Sequence, residues 1–434
     1  MNWRKILQFT LVHVGVAMTA VPVNSTLNRV MITELNFSAL LVGFLISLPY
    51  LLSPLQVFVG NWADHNPVWG RRRSPWILMG GLMATFGSYL TAHAVYLMAD
   101  NFGLGLVAAI GAFTLWGVGV NIASVSYLSL LSEETEGKTG WRSRAISVMW
   151  TTMILVSIFT GIALSRMLED YSPTTLYTAF GFIWLIASTL VMFGSAGIEP
   201  RMTAETVHRH ADNPGTAMRA LVNNPTAKRF FLYLTLVLIS VHAQDILLEP
   251  FGGDVLGMSV AATSRLISIW GVGVFVTMIG GLWVVRRLGK KTAANLGAFL
   301  SATGFALIIM TGALQQVNAF MGAVFILGLG GGLMTVSNLS FMLDMTVPEA
   351  AGLYIGAWGV ANFAGQAIGN IASGLIRDVA LRLTGSEFVG YITVFSLEIV
   401  GLMVAVWLFR SISVQNFRRD AEVQLPELLA VAVD

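Results

Sequence analysis

Apolar stretches long enough to cross a bilayer recur twelve times along this chain, separated mostly by short polar turns. A spanning helix needs about 20 predominantly apolar residues at about 1.5 Å each. The stretches fall at residues 6–30, 37–60, 76–98, 104–131, 145–167, 175–197, 229–249, 262–285, 292–313, 319–344, 354–378 and 389–410. Helices are expected because a backbone in lipid must satisfy its own hydrogen bonds. The longest internal polar segment separates the sixth stretch from the seventh. The pattern therefore predicts an all-α membrane protein with an N-terminal six-helix half over 1–198, a cytoplasmic linker over 199–228, a C-terminal six-helix half over 229–410 and a cytoplasmic tail over 411–434.

Composition agrees. Of the 434 residues, 55% are hydrophobic and 11% charged, against about 25% charged in a typical soluble domain. The absence of cysteine excludes disulfides, thiolate metal sites and cysteine nucleophiles. The opening Met1-Asn2-Trp3-Arg4-Lys5 and the apolar run behind it resemble a signal peptide, but no clean cleavage site follows, so a retained first helix is expected.

Charge sets an expected orientation. With the N-terminus in the cytoplasm, 20 of the 25 Lys and Arg residues fall on that side, and only Arg29, Arg166, Arg265, Arg377 and Arg382 on the other. An even number of spans places both termini inside. The two halves also repeat a detail. Gly60-Asn61-Trp62-Ala63-Asp64 leads to Gly70-Arg71-Arg72-Arg73 after span two, and Gly281-Leu282-Trp283 leads to Arg286-Arg287-Leu288-Gly289-Lys290-Lys291 after span eight. Parallel repeats of this kind are the major facilitator arrangement. Asp64 can sit against a helix N-terminus, with Arg71, Arg72 and Arg73 meeting Glu133 or Glu134. Together with Asp344 these residues form an expected cytoplasmic gate.

Motifs of soluble enzymes fail. Gly137-Lys138-Thr139 ends like a phosphate loop, but Ser132 stands where the first glycine is required. There is no His-Glu-x-x-His motif and no Ser-His-Asp set, and the expectation is that the chain is not an enzyme. Polar groups inside the membrane are the better lead, because each is costly unless partnered or functional. Span one carries His13, Asn24 and Asn28, then Arg29 and Glu34 five positions apart. Arg29 and Glu34 are either an interfacial clasp or a ligand gate. Span seven carries His242, Gln244, Asp245 and Glu249. On one continuous helix His242, Asp245 and Glu249 share a face, where they serve either a proton or ligand relay or an internal hydrogen-bond network. Glu398, near the middle of span twelve, is a candidate proton carrier. His93, toward the outer end of span three, reads as a satisfied or interfacial side chain rather than a ligand. Gly352/Gly356 and Gly365/Gly369 in span eleven predict close helix packing, and Gly330-Gly331-Gly332 is expected to interrupt span ten.

Several stretches together resemble the PucC-type, or bacteriochlorophyll-delivery, family of the major facilitator superfamily. They are Leu27-Asn28-Arg29-Val30-Met31-Ile32-Thr33-Glu34-Leu35, Asp64 with Pro67 and Gly70-Arg71-Arg72-Arg73-Ser74-Pro75, and Gln244-Asp245-Ile246-Leu247-Leu248-Glu249-Pro250-Phe251-Gly252. In spans ten and eleven they are Phe341-Met342-Leu343-Asp344-Met345-Thr346, Pro348-Glu349 and Ala351-Gly352-Leu353-Tyr354-Ile355-Gly356-Ala357-Trp358-Gly359. The resemblance implies chlorophyll or bacteriochlorophyll as the bound pigment, with Mg present only as part of it. It further implies the lipid bilayer and light-harvesting or reaction-centre subunits as partners, with no nucleic acid, and residence in a bacterial inner, intracytoplasmic or thylakoid membrane. An axial ligand to the pigment Mg is commonly an imidazole or an oxygen donor, so His13, Asn28, Glu34, His242, Gln244 and Glu249 are candidates, with Arg29 and Asp245 beside them. These assignments come from the resemblance and not from spacing. Two alternatives stand beside it: a proton-coupled transporter of a small amphiphile, and a non-transporting assembly scaffold.

Overall fold

The computed structural model describes residues 2–138, 140–200, 225–345, 351–417 and 419. Of Val57, Gly60, Asn61, Asp64, His65 and residues 351–357 it describes the backbone only. The gate role of Asp64, the pair Gly352/Gly356, Pro348-Glu349, most of the expected linker and the tail beyond residue 419 therefore lie outside the described residues.

All twelve apolar stretches are built on helix, and the described residues hold no strand, only an isolated bridge between Val68 and Arg71 in the first basic turn. Span one is α1 (Trp3–Met18) continued by two π-helical turns, Pro22–Leu27 and Val30–Glu34. Pro22, which has no N–H to give, opens the first of them. Span two divides into α2 (Ala39–Leu51) and α3 (Leu55–His65), with Pro49 inside the first piece and Pro54 at the break. Spans three to six are single helices: α4 (Ser74–Asp100), α5 (Phe102–Glu134), α6 (Trp141–Met167) and α7 (Pro173–Ser195).

Span seven departs from expectation. Helix α8 (Pro225–His242) ends where the shared face was to begin, a tighter 3₁₀ turn follows over Ala243–Ile246, and α9 (Leu248–Asp254) carries Glu249. The regular 3.6-residue period is lost between His242 and Glu249, so these residues do not lie on one continuous helical stripe. Span eight is α10 (Val260–Ser264) with α11 (Leu266–Leu288). The remaining spans are α12 (Lys290–Ala313), α13 (Val317–Asp344), α14 (Ala351–Thr384) and α15 (Glu387–Arg410). Helix α13 runs unbroken through Gly330-Gly331-Gly332, contrary to the expected interruption.

Packing explains why that sequence is tolerated. A Cβ on Gly330 would lie 2.4 Å from the Ser301 amide nitrogen, so the glycine lets α13 press its backbone against α12. Helices α4 and α5 use the same device, where a Cβ on Gly87 would lie 2.4 Å from the Trp116 amide nitrogen. These tight pairs occupy equivalent places, spans three and four of one half and nine and ten of the other. Two compact units result, one made of Met1–His208 with Ile246–Gly271, the other of Arg209–Asp245 with Val272–Asp434.

Candidate ligand-binding site

A cavity lies within the first unit, between α1, α2 and α5. It has a volume of about 160 Å³ and is lined by His13, Thr19, Tyr50, Trp116, Ser124 and Tyr127 among others. Close backbone approach makes it possible: a Cβ on Gly117 of α5 would sit 2.8 Å from the Pro49 Cα of α2. Asn121 fastens the same contact, donating from Nδ2 to the Pro49 carbonyl at 2.8 Å. Trp116 Nε1 donates to Thr19 Oγ1 at 2.9 Å, and that hydroxyl donates onward to the Val16 carbonyl.

His13 is 9% exposed. Its Nδ1 hydrogen-bonds the Tyr127 hydroxyl at 2.7 Å, and Ser124 holds that hydroxyl in turn. Its Nε2 is buried and has no partner among the described residues. A buried polar atom left open costs about 1–3 kcal/mol, which makes this nitrogen a candidate contact for a group from outside the chain. It offers a lone pair if Nδ1–H donates to Tyr127, or a proton if the tyrosine donates. The cavity falls below the roughly 300–1,000 Å³ of pockets that enclose drug-sized ligands. It takes a small polar molecule, or one edge of a larger ligand.

At the end of span one distal to the N-terminus, Arg29 is committed to protein partners. It is 4% exposed, pairs with Glu34, and donates from Nη2 to the Met258 carbonyl at 2.9 Å. The Arg29–Glu34 pair follows from the π-helical turn, whose wider winding brings residues five apart onto one side. Asn28 is fully buried and accepts from the Arg29 amide at 2.5 Å. Thr26 meets Ser264 at 2.9 Å, Ser268 donates to the Ile158 carbonyl at 2.8 Å, and Arg265 Nη2 donates to Ser165 at 3.1 Å. This polar seam ties α9, α10 and the start of α11 to the rest of the first unit. Glu249, on α9, is buried.

The second unit carries the other acids. His242 Nδ1 lies 2.8 Å from Asp245 Oδ2, and Gln244 Nε2 donates to Asp245 Oδ1 at 3.3 Å. Glu398 in α15 is 3% exposed, and neither carboxyl oxygen has a hydrogen-bond partner among the described residues. Asp245 is near enough to act on it electrostatically. Glu249 falls in the first unit and Asp245 in the second.

The basic turns are networks. Arg72 donates to Glu133 at 2.7 Å, Arg73 stands 3.9 Å from the same carboxylate, and Lys5 pairs with Glu134. Arg71 leaves its Nε without a partner among the described residues. In the second unit, Lys290 bonds Asp344 at 2.7 Å. Sequence reasoning missed Glu199. Its carboxylate accepts the backbone N–H groups of Arg72 at 3.0 Å, Arg73 at 2.9 Å and Ser74 at 2.6 Å, capping the start of α4. No local motif announces a cap supplied from so far along the chain. Arg377 was also passed over. It bonds Asp378, Glu387 and Tyr391, and its guanidinium lies 4.9 Å from the centre of the Tyr391 ring.

The family model described as PUCC protein matches residues 26–417. Protein PucC of Cereibacter sphaeroides is 29% identical over 91% of this chain and 89% of that protein. Protein PucC of Rhodobacter capsulatus is 29% identical over 93% of this chain and 90% of its own length. A third relative, named bacteriochlorophyll synthase 44.5 kDa chain, also from Rhodobacter capsulatus, is 27% identical over 93% of this chain and 94% of that protein. Among solved structures, a mutant of the nucleoside transporter NupG superimposes with a TM-score of 0.73 at 13% identity, covering 94% of this chain and 99% of that one. A bacterial homologue of the lysosomal transporter Spinster gives 0.72 at 14% identity, covering 96% and 98%. At such identities the structural likeness speaks for the fold alone, which is the major facilitator fold of twelve helices in two six-helix halves.

Proposed function

Because the chain belongs to the PUCC protein family, we propose that it binds chlorophyll or bacteriochlorophyll and hands it to light-harvesting or reaction-centre subunits as they assemble in a bacterial photosynthetic membrane. The observation that carries this reading is the open Nε2 of His13, buried against a cavity and held from behind by Tyr127. An imidazole fixed at one ring nitrogen and unpartnered at the other is the arrangement of a metal ligand with its supporting shell. The cavity is too small for a whole macrocycle, so His13 supplies the axial position or holds one edge while the bulk of the pigment stays outside. Arg29, Glu34 and Asn28 serve as the frame at the distal end, since their polar atoms engage the protein. The reading makes the protein a carrier rather than an enzyme, although one relative is named as a synthase chain.

The test is purification from a native photosynthetic membrane in mild detergent, followed by absorption spectroscopy and pigment extraction. Stoichiometric pigment in the wild type that is lost in His13→Ala, with helicity retained, supports the reading. A colourless wild-type protein sinks it.

A second reading has its own observation. A carboxyl group in the membrane with both oxygens unpartnered, as at Glu398, suits a proton carrier. Proton-dependent uptake of an amphiphile by reconstituted protein, abolished by Glu398→Gln, would favour that reading.

A further inference from the structure

Away from that cavity, one face of α4 and α7 carries an aromatic platform around an imidazole. Phe86, Tyr89, His93 and Tyr96 follow one another at helical spacing on α4, and Tyr177, Gly181 and Trp184 do so on α7. The His93 ring stacks on Tyr177 with centroids 4.2 Å apart and planes at 13°. Tyr89 contacts His93 at 4.6 Å and stacks on Trp184 at 5.3 Å. Phe86 and Trp184 are 43% and 36% exposed. In a spanning helix pair such a face meets lipid.

The imidazole is set in one tautomer. His93 Nδ1 lies 3.3 Å from the Tyr89 carbonyl, and a carbonyl only accepts, so Nδ1 carries the proton. Nε2 then presents an in-plane lone pair, and no described residue bonds it. Stacking by Tyr177 occupies a face of the ring and not the edge that carries this lone pair. Gly181 adds room: a Cβ there would meet only Tyr89 Cε2, at 3.7 Å. Tyrosine and tryptophan gather at membrane interfaces generally, and here they surround an imidazole whose Nε2 has no described partner.

We propose that His93 is the axial ligand of a lipid-side site for a planar metallomacrocycle, with the aromatic platform of α4 and α7 as its apolar support. This rests on the pigment-handling reading and adds a place for it. A macrocycle that the His13 cavity cannot enclose meets no such limit on an open lipid-facing surface, and a pigment dissolved in the bilayer reaches this face without crossing water.

The test uses full-length protein in lipid nanodiscs, titrated with a zinc porphyrin and with the same porphyrin lacking metal, read by the shift of the Soret band and quenching of tryptophan fluorescence. The wild type is expected to bind the zinc form at least about tenfold more tightly than the metal-free form, the scale on which ligand support matters in metal sites. With the other proposed imidazole removed by His13→Ala in every protein compared, His93→Phe should bind the two forms alike, whereas Gly181→Leu, which fills the notch and keeps the imidazole, should weaken both. Equal binding of the two forms by the wild type, or an unchanged preference in His93→Phe, overturns the site. The two proposals fail separately. Native pigment lost in His13→Ala but fully kept in His93→Phe overturns this site and leaves the carrier reading standing. A His93-dependent zinc preference in a protein that purifies colourless supports the site and removes the carrier reading.

Discussion

Arg29 and Glu398 are both ionisable side chains sunk in apolar helices, at 4% and 3% exposure, yet they are held in opposite ways. Arg29 has Glu34 against one terminal nitrogen and the Met258 carbonyl against the other. Glu398 has no hydrogen-bond partner on either oxygen among the described residues. In a medium without water, a charge with partners builds structure, and removing it strands those partners. A polar side chain whose acceptor atoms have no partner adds no hydrogen bond to the fold and carries a desolvation cost. The His13 Nε2 belongs with Glu398 in this respect. On the proposed function, the difference separates the frame of the molecule from its candidate functional groups.

Mutagenesis can break that separation. Arg29→Ala leaves Glu34 and the Met258 carbonyl unpaired, and should cost about 3–5 kcal/mol in a reversible unfolding assay in mixed micelles. A loss below about 1 kcal/mol would mean that the seam between span one and α9–α10 is not structural. Glu199→Ala removes an acceptor from three backbone N–H groups at the start of α4, and should cost about 2 kcal/mol. Glu398→Gln strands no partner, so stability should stay within about 1 kcal/mol of wild type, while any proton-coupled activity disappears. Lys5→Ala breaks a paired but partly exposed bridge to Glu134, and about 0.5 kcal/mol is expected. An effect there as large as at Arg29 would show that pairing alone, and not burial, sets the scale.

The same residues show what the sequence made legible. Twelve spans were readable because a bilayer imposes one length and one composition on each of them. Breaks within spans were not. The π-helical turns of span one and the 3₁₀ turn after His242 depend on how the helices pack, and they change which side chains share a side. Arg29 and Glu34 look too far apart for a regular helix and meet because the helix there is not regular. Conversely, His242, Asp245 and Glu249 look aligned on one helical stripe, but a 3₁₀ turn interrupts that stripe, and His242 meets Asp245 across the turn. Glu199 and the His13–Tyr127 pair join residues more than a hundred positions apart, where periodicity carries no information. His93 reads in the sequence as an ordinary interfacial side chain. Its interest appears only when Tyr89 and Tyr177 are seen to fix its ring.

Delivery, rather than binding alone, is the central claim, and transfer in a defined membrane tests it most directly. Protein carrying its native pigment is placed in vesicles with unpigmented light-harvesting polypeptides, and the absorption band of the assembled antenna is followed in time. The account predicts that the antenna band grows faster than from the same quantity of free pigment, and that His13→Ala removes the acceleration. Antenna assembly at the same rate with and without the protein would contradict it.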